Sequence, residues 1–250
     1  MKSINNFIYE RLKINKDSKL ITHHFFPTEL YQLRALLEKL LKERGKDADL
    51  NDIDVSKITT FYSPSTGNFQ LFRGLHPRNI KIDKWDVSNV EDMTGVFGNC
   101  VSFNCDLSNW NVSNVKNMKS MFEGCKKFKG QGLENWDVSN VKSMNYMFKH
   151  CYKFTGQGLR NWKINNVKSA SSMFIYCEKF DCDLSNWEVS NIETMNFMFY
   201  GCEKFKGDGL ENWKPKLHCQ IDSIFDNCDS LKKYPKWYLD NKNYTSICVL

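Results

Sequence analysis

The sequence predicts an α/β solenoid built from short coils of 25–26 residues, each a helix followed by a short parallel strand. Three observations carry this. Tryptophan recurs at Trp85, Trp110, Trp136, Trp162, Trp187 and Trp213, at spacings of 25, 26, 26, 25 and 26 residues with no gap between copies. A period of this length marks units that stack into a continuous core. Within each copy the apolar spacing changes from helical to alternating. Val90, Met93, Phe97 and Cys100 fall three, four and three residues apart, as one stripe of a helix does, whereas Phe103, Cys105 and Leu107 alternate with polar residues as in a strand.

The chain divides accordingly. Residues 1–49 are expected to form a helical N-terminal cap, 50–84 a degenerate first repeat, 85–213 five full repeats, and 214–250 a degenerate last repeat with a C-terminal cap. Residues 3–14 carry a helical stripe of Ile4, Phe7, Ile8 and Leu12. The segment FPTELYQLRALLEKLLKERGKD then has Thr28 as N-cap, Leu30, Leu33, Leu37, Leu40 and Leu41 on one face, and Gly45 as its stop. His23 and His24 precede it with no third ligand. In the first repeat, Asp54, Val55, Ser56 and Ile58 imitate Asp86, Val87, Ser88 and Val90, and SPSTGN reads as a turn-rich insertion.

The fixed columns read as structure. Asn89, Asn114, Asn140, Asn166 and Asn191 sit where helix N-caps belong. Asn109, Asn135, Asn161, Asn186 and Asn212 precede the tryptophans and are placed to bond the backbone of a neighbouring coil. Cys100, Cys125, Cys151, Cys177, Cys202 and Cys228 share one position, about 5 Å from coil to coil at strand-like spacing. A column of side chains pointing one way is expected to be a ladder of small buried thiols. The 26-residue copies carry KGQGL, TGQGL and KGDGL, expected to form a bulge beside the strand, since no lysine-serine pair or dinucleotide pattern follows.

Chemistry is hard to find. No cysteine-histidine cluster has metal spacing, no nucleotide loop is present, and no catalytic residue, metal or cofactor is expected. Asp181 and Asp183 would face one side of a strand without a closed cleft around them. The net charge of +6 is modest and lysines interleave with acids, so neither nucleic-acid binding nor membrane insertion is expected. No export signal, lipid-attachment site or transmembrane run is seen, which points to a cytoplasmic protein. Cys248 stands one place short of a prenylation box.

Information must therefore lie where copies differ. The third to fifth copies concentrate Tyr146, His150, Tyr152, Ile175, Tyr176, Phe197 and Tyr200 at variable positions, the expected face for a protein partner. A polar row on the strand half, with Asn104, Asp106, Lys129, Gln131, Thr155, Gln157, Asp181, Asp183, Lys206 and Asp208, reads as a solvated face that could alternatively take a peptide or glycan.

The pattern DVSNVxxMxxMFxxCxxF…LSNW over about residues 50–231 resembles the BspA-like leucine-rich-repeat family of microbial surface proteins and lipoproteins. That resemblance implies a leucine-rich-repeat-like α/β solenoid that binds proteins and has no enzymatic activity. The start, KSINNFIYERLKINKDSKL, resembles those of crAss-like gut bacteriophage proteins, which would make a virion a second possible location. The alternative function is a structural or adhesive component of a cell surface or phage particle.

Overall fold

The computed structural model describes residues 22–63 and 69–247. The expected helix at 3–14, most of the SPSTGN insertion and Cys248 lie outside these. The helix Leu30–Arg44 (α1) forms as its leucine stripe requires, burying Leu33, Leu37, Leu40 and Leu41. Its N-cap is Glu29 rather than Thr28, and the Gln32 side-chain oxygen accepts the backbone N–H groups of both. Gly45, at φ 86°, ends it. Arg34 donates to the carbonyls of Leu71 and Arg73, both at 2.8 Å, so α1 lies along the first repeat and its leucines join the main core. Tyr62–Ser63 (β1) and Phe69–Gln70 (β2) make a two-stranded antiparallel hairpin with Tyr62 opposite Gln70.

The α/β solenoid of helix plus strand does not form. Among the described residues the only α-helices are α1 and Lys236–Ile247 (α2), both outside the full repeats, and the only sheet is the β1–β2 pair. The segment expected to be helical is a run of tight turns. In Met118–Cys125, Met121, Glu123 and Cys125 donate to the carbonyls three residues back, while Met118, Ser120, Phe122 and Gly124 donate instead to Ser143, Asn145, Met147 and Lys149 of the next copy at 2.8–3.0 Å. An α-helix would direct its interior N–H groups four residues back within the segment. Here alternate donors leave the segment, because the backbone turns left-handed at Ser120 and Gly124 (φ 54° and 73°). The expected strand half is likewise irregular. Copies meet through single parallel bridges at Asp92, Asn117, Ser143, Ser169 and Thr194, not through a continuous sheet.

What the columns do instead is clear from their bonds. Each tryptophan Nε1–H reaches the carbonyl of a residue in the preceding copy: Trp110 to Ile82, Trp136 to Leu107, Trp162 to Leu133, Trp187 to Leu159 and Trp213 to Leu184, at 2.8–3.1 Å. Trp237 on α2 continues this ladder to Leu210, which the broken period at the C-terminus had concealed. Phe72, Phe97, Phe122, Phe148, Phe174, Phe199 and Phe225 stack at 5.3–5.8 Å between centroids. Asn89, Asn114, Asn140, Asn166 and Asn191 cap no helix; each amide donates to a turn carbonyl of the preceding copy at 2.7–2.9 Å. Of the asparagines before the tryptophans, Asn135 makes such a backbone bond, to Ser108 at 3.5 Å.

Every described cysteine is a free thiol, and all but Cys182 are buried. In the shared column Cys125, Cys151, Cys177, Cys202 and Cys228 donate to the phenylalanine carbonyl of the preceding copy at 3.0–3.1 Å. Burial pushes the Cys100, Cys105 and Cys228 thiols up to about 12. The Gly-x-Gly segments are turns rather than strand bulges. Gly132 is left-handed (φ 92°) and leads into a 3-10 turn, Leu133–Asn135. A Cβ there would sit 2.2 Å from the backbone nitrogen of Ser108, so glycine is required by the preceding copy as well as by the turn.

Candidate functional site

The left-handed positions decide where the variable residues go. In successive copies they are occupied by Gly95 and Asn99, Ser120 and Gly124, Tyr146 and His150, Ser172 and Tyr176, Phe197 and Gly201, and Ser223 and Asn227, all at φ 49–73°. Most are glycine, asparagine or serine, small residues of which glycine and asparagine suit this backbone. Tyr146, His150, Tyr176 and Phe197 are not. Four bulky rings thus stand at strained positions in three consecutive copies, and non-glycine residues held there are characteristic of functional surfaces.

Five of the seven expected residues form one chain of rings. The Tyr152 ring meets His150 edge-on at 5.9 Å, with its hydroxyl 3.5 Å from His150 Nδ1. His150 stacks on Tyr176 at 5.1 Å and 8°, Tyr176 meets Tyr200 edge-on at 5.5 Å, and Tyr200 meets Phe197 at 6.1 Å. Tyr176 and Phe197 are each 40% exposed; the other three are half-buried. Gly201 makes room for this arrangement, since a Cβ there would lie 2.6 Å from Tyr176 Cδ1. Tyr146 is set apart, with the Lys149 ammonium 5.3 Å from its ring centre, and Ile175 is half-buried in the column between Lys149 and Tyr200. Desolvation, assisted by Lys149, holds His150 below the usual imidazole range, so the ring is neutral near pH 7 and stacks without an ionic cost.

Two cations stand beside these rings. Lys126 lies 5.5 Å over the Tyr152 ring, and Lys149 also pairs with Glu123 at 3.2 Å. Cations over tyrosine faces are attracted by the ring quadrupole. The polar row on the other half is largely tied up between copies. Gln131 donates to Asp106, Asn104 accepts from the Lys129 backbone, Lys206 pairs with Asp181, and Arg160 pairs with Asp183 at 3.1 Å. Asp181 and Asp183 therefore each serve their own cation. No three His, Cys, Asp or Glu side chains among the described residues are placed to hold a metal, and no helix there is long and apolar enough to cross a membrane.

The family described as "Mycoplasma protein of unknown function, DUF285" has a model that matches residues 37–154 and again 126–238. The two matches overlap and together span 37–238 of 250 residues. The chain belongs to the DUF285 family. Those bounds take in most of α1, every full repeat and the start of α2, so the DUF285 match includes the whole ring chain from Tyr152 to Phe197. No curated protein and no solved structure matches the chain.

Proposed function

We propose that this DUF285 protein is a non-enzymatic binding protein that recognises a partner protein through the face carrying Tyr146, His150, Tyr152, Ile175, Tyr176, Phe197 and Tyr200. The observation that carries this is the row of aromatic residues at left-handed positions that other copies fill with glycine, asparagine or serine. A left-handed backbone costs an L-residue about 1–2 kcal/mol, and a bulky ring is not needed to adopt it, because Ser120, Ser172 and Ser223 hold the same conformation in the repeat. Tyrosine is a favoured anchor at interfaces, being large, rigid and amphipathic. The resemblance of the repeat to BspA-like proteins agrees with this reading.

The test is affinity capture from native-host lysate with wild type beside a Tyr146→Ala/Tyr176→Ala/Tyr200→Ala variant. A protein held by wild type and lost by the still-folded variant is expected. Retention of the same protein by both would remove the aromatic face from the binding site.

A further inference from the structure

Charge on this molecule follows a rule with two exceptions, of which the shorter is the run of Lys116, Lys142 and Lys168 in three consecutive copies. Across neighbouring copies, opposite charges meet: Glu91 with Lys116 at 2.7 Å, Glu123 with Lys149, Asp183 with Arg160, Asp181 with Lys206 and Glu193 with Lys168. The column directly before the inner phenylalanines breaks it. There Lys127, Lys153, Lys179 and Lys204 follow one another in four consecutive copies, all exposed, and none makes an ion pair with a described residue. Like charges at adjacent positions of a stack repel, so the row raises the free energy of the isolated protein.

Lys127 and Lys153 line an open cleft of about 580 Å³ together with Lys129 and Arg78. The one carboxylate in that cleft, Asp47, is already paired with Arg78. Lys153 of the cleft directly follows Tyr152 of the ring chain in the sequence, and Lys127 follows Lys126, which covers the Tyr152 ring. At the far end Glu178 and Glu203 directly precede Lys179 and Lys204 and interrupt the positive field. The basic track is therefore short and closed by acids, which suits a few carboxylates better than a continuous phosphate backbone.

We propose that the lysine row receives an acidic segment of the partner protein, extended along the stack so that its carboxylates meet Lys127, Lys129 and Lys153. This rests on the binding reading above and names the chemistry of what is bound.

The test is a fluorescence-anisotropy titration of the full chain with three labelled probes. These are a peptide of about ten residues alternating Glu and Ser, its Gln-for-Glu counterpart, and a single-stranded oligodeoxynucleotide of matched charge. The Glu peptide is expected to bind roughly tenfold more tightly than the Gln peptide, and to lose that advantage with Lys127→Gln/Lys129→Gln/Lys153→Gln. The corresponding Arg variant should retain it, and raising salt from about 50 to about 300 mM should weaken it. Equal binding of the Glu and Gln peptides, an unaffected Gln variant, or tighter binding of the oligonucleotide would each overturn the proposal. A lysate partner kept by the Gln variant but lost by the tyrosine variant would overturn it too, while leaving the aromatic binding face in place.

Discussion

At Tyr176 glycine should be a better replacement than alanine, the reverse of the usual order. Its φ of 56° costs an L-residue about 1–2 kcal/mol, which alanine keeps and glycine relieves. Both substitutions lose the stack on His150 at 5.1 Å and the edge contact with Tyr200 at 5.5 Å, worth about 0.5–1.5 kcal/mol each, toward the low end for a ring so exposed. Tyr176→Ala is then expected to cost about 1–2 kcal/mol and Tyr176→Gly about 0–1, a gap near 1 kcal/mol in favour of glycine. Tyr200 is the internal control. It touches the same ring but does not have a positive φ, so there Ala should exceed Gly by about 0.5–1 kcal/mol. Urea unfolding followed by circular dichroism reads the difference as a midpoint shift of roughly 0.3–1 M at constant slope. If alanine matches or exceeds glycine at Tyr176, or if both sites show the same order, the strain argument for the aromatic face is wrong.

Three further outcomes follow from the same geometry. Trp162→Ala should cost about 3–5 kcal/mol, and Trp162→Phe about 1–3, chiefly through the lost 2.9 Å bond to the Leu133 carbonyl; a cost near zero for Trp162→Phe would mean the ladder bond contributes nothing. Gly132→Ala combines a Cβ 2.2 Å from Ser108 N with left-handed backbone and should cost about 2–5 kcal/mol in urea unfolding, whereas Gly45→Ala, with open space at its Cβ but a backbone (φ 86°, ψ 178°) that suits glycine alone, should cost about 1–3. The thiols of Cys100, Cys105 and Cys228, raised from 9.0 to about 12, bind their protons more tightly folded than unfolded. Stability is therefore full below pH 9 and falls as pH rises from 9 towards 12, and a flat profile in pH-dependent unfolding would contradict their burial.

The inward columns of the repeat were legible because burial leaves a period in the sequence whatever the local backbone does. Val90, Met93, Phe97 and Cys100 all point inward as their spacing implied. The secondary structure was misread because spacings of three and four residues are also what a chain of tight turns produces when a left-handed residue recurs every fourth position. A sign of this was present. Gly95, Asn99, Ser120, Gly124, Ser172, Gly201, Ser223 and Asn227 put poor helix formers at two fixed places per copy, which an α-helix would resist at about 0.5–1 kcal/mol each. The strand half misled differently. Phe103, Cys105 and Leu107 do face the core, but alternation in one copy says nothing about whether neighbouring copies pair continuously, and the glycine turns prevent that. The variable residues were found, and the contact between Tyr152, His150, Tyr176, Tyr200 and Phe197 was not, since it depends on which direction a left-handed backbone throws each ring.

The tight-turn segments send their alternate donors forward and present alternate acceptors backward, so one whole unit is interchangeable with another at the level of the main chain. A gene that duplicates 25 or 26 codons in frame adds a plug and a socket that already fit, and the extra residue of the longer unit disappears into its glycine turn. Growth and diversification are thereby uncoupled. The number of units can change without redesigning a contact, while the residues at positions 146, 150, 176 and 197 differ from their counterparts in other units at the same left-handed backbone. Such a chain can change its outward surface by editing a few codons at a time.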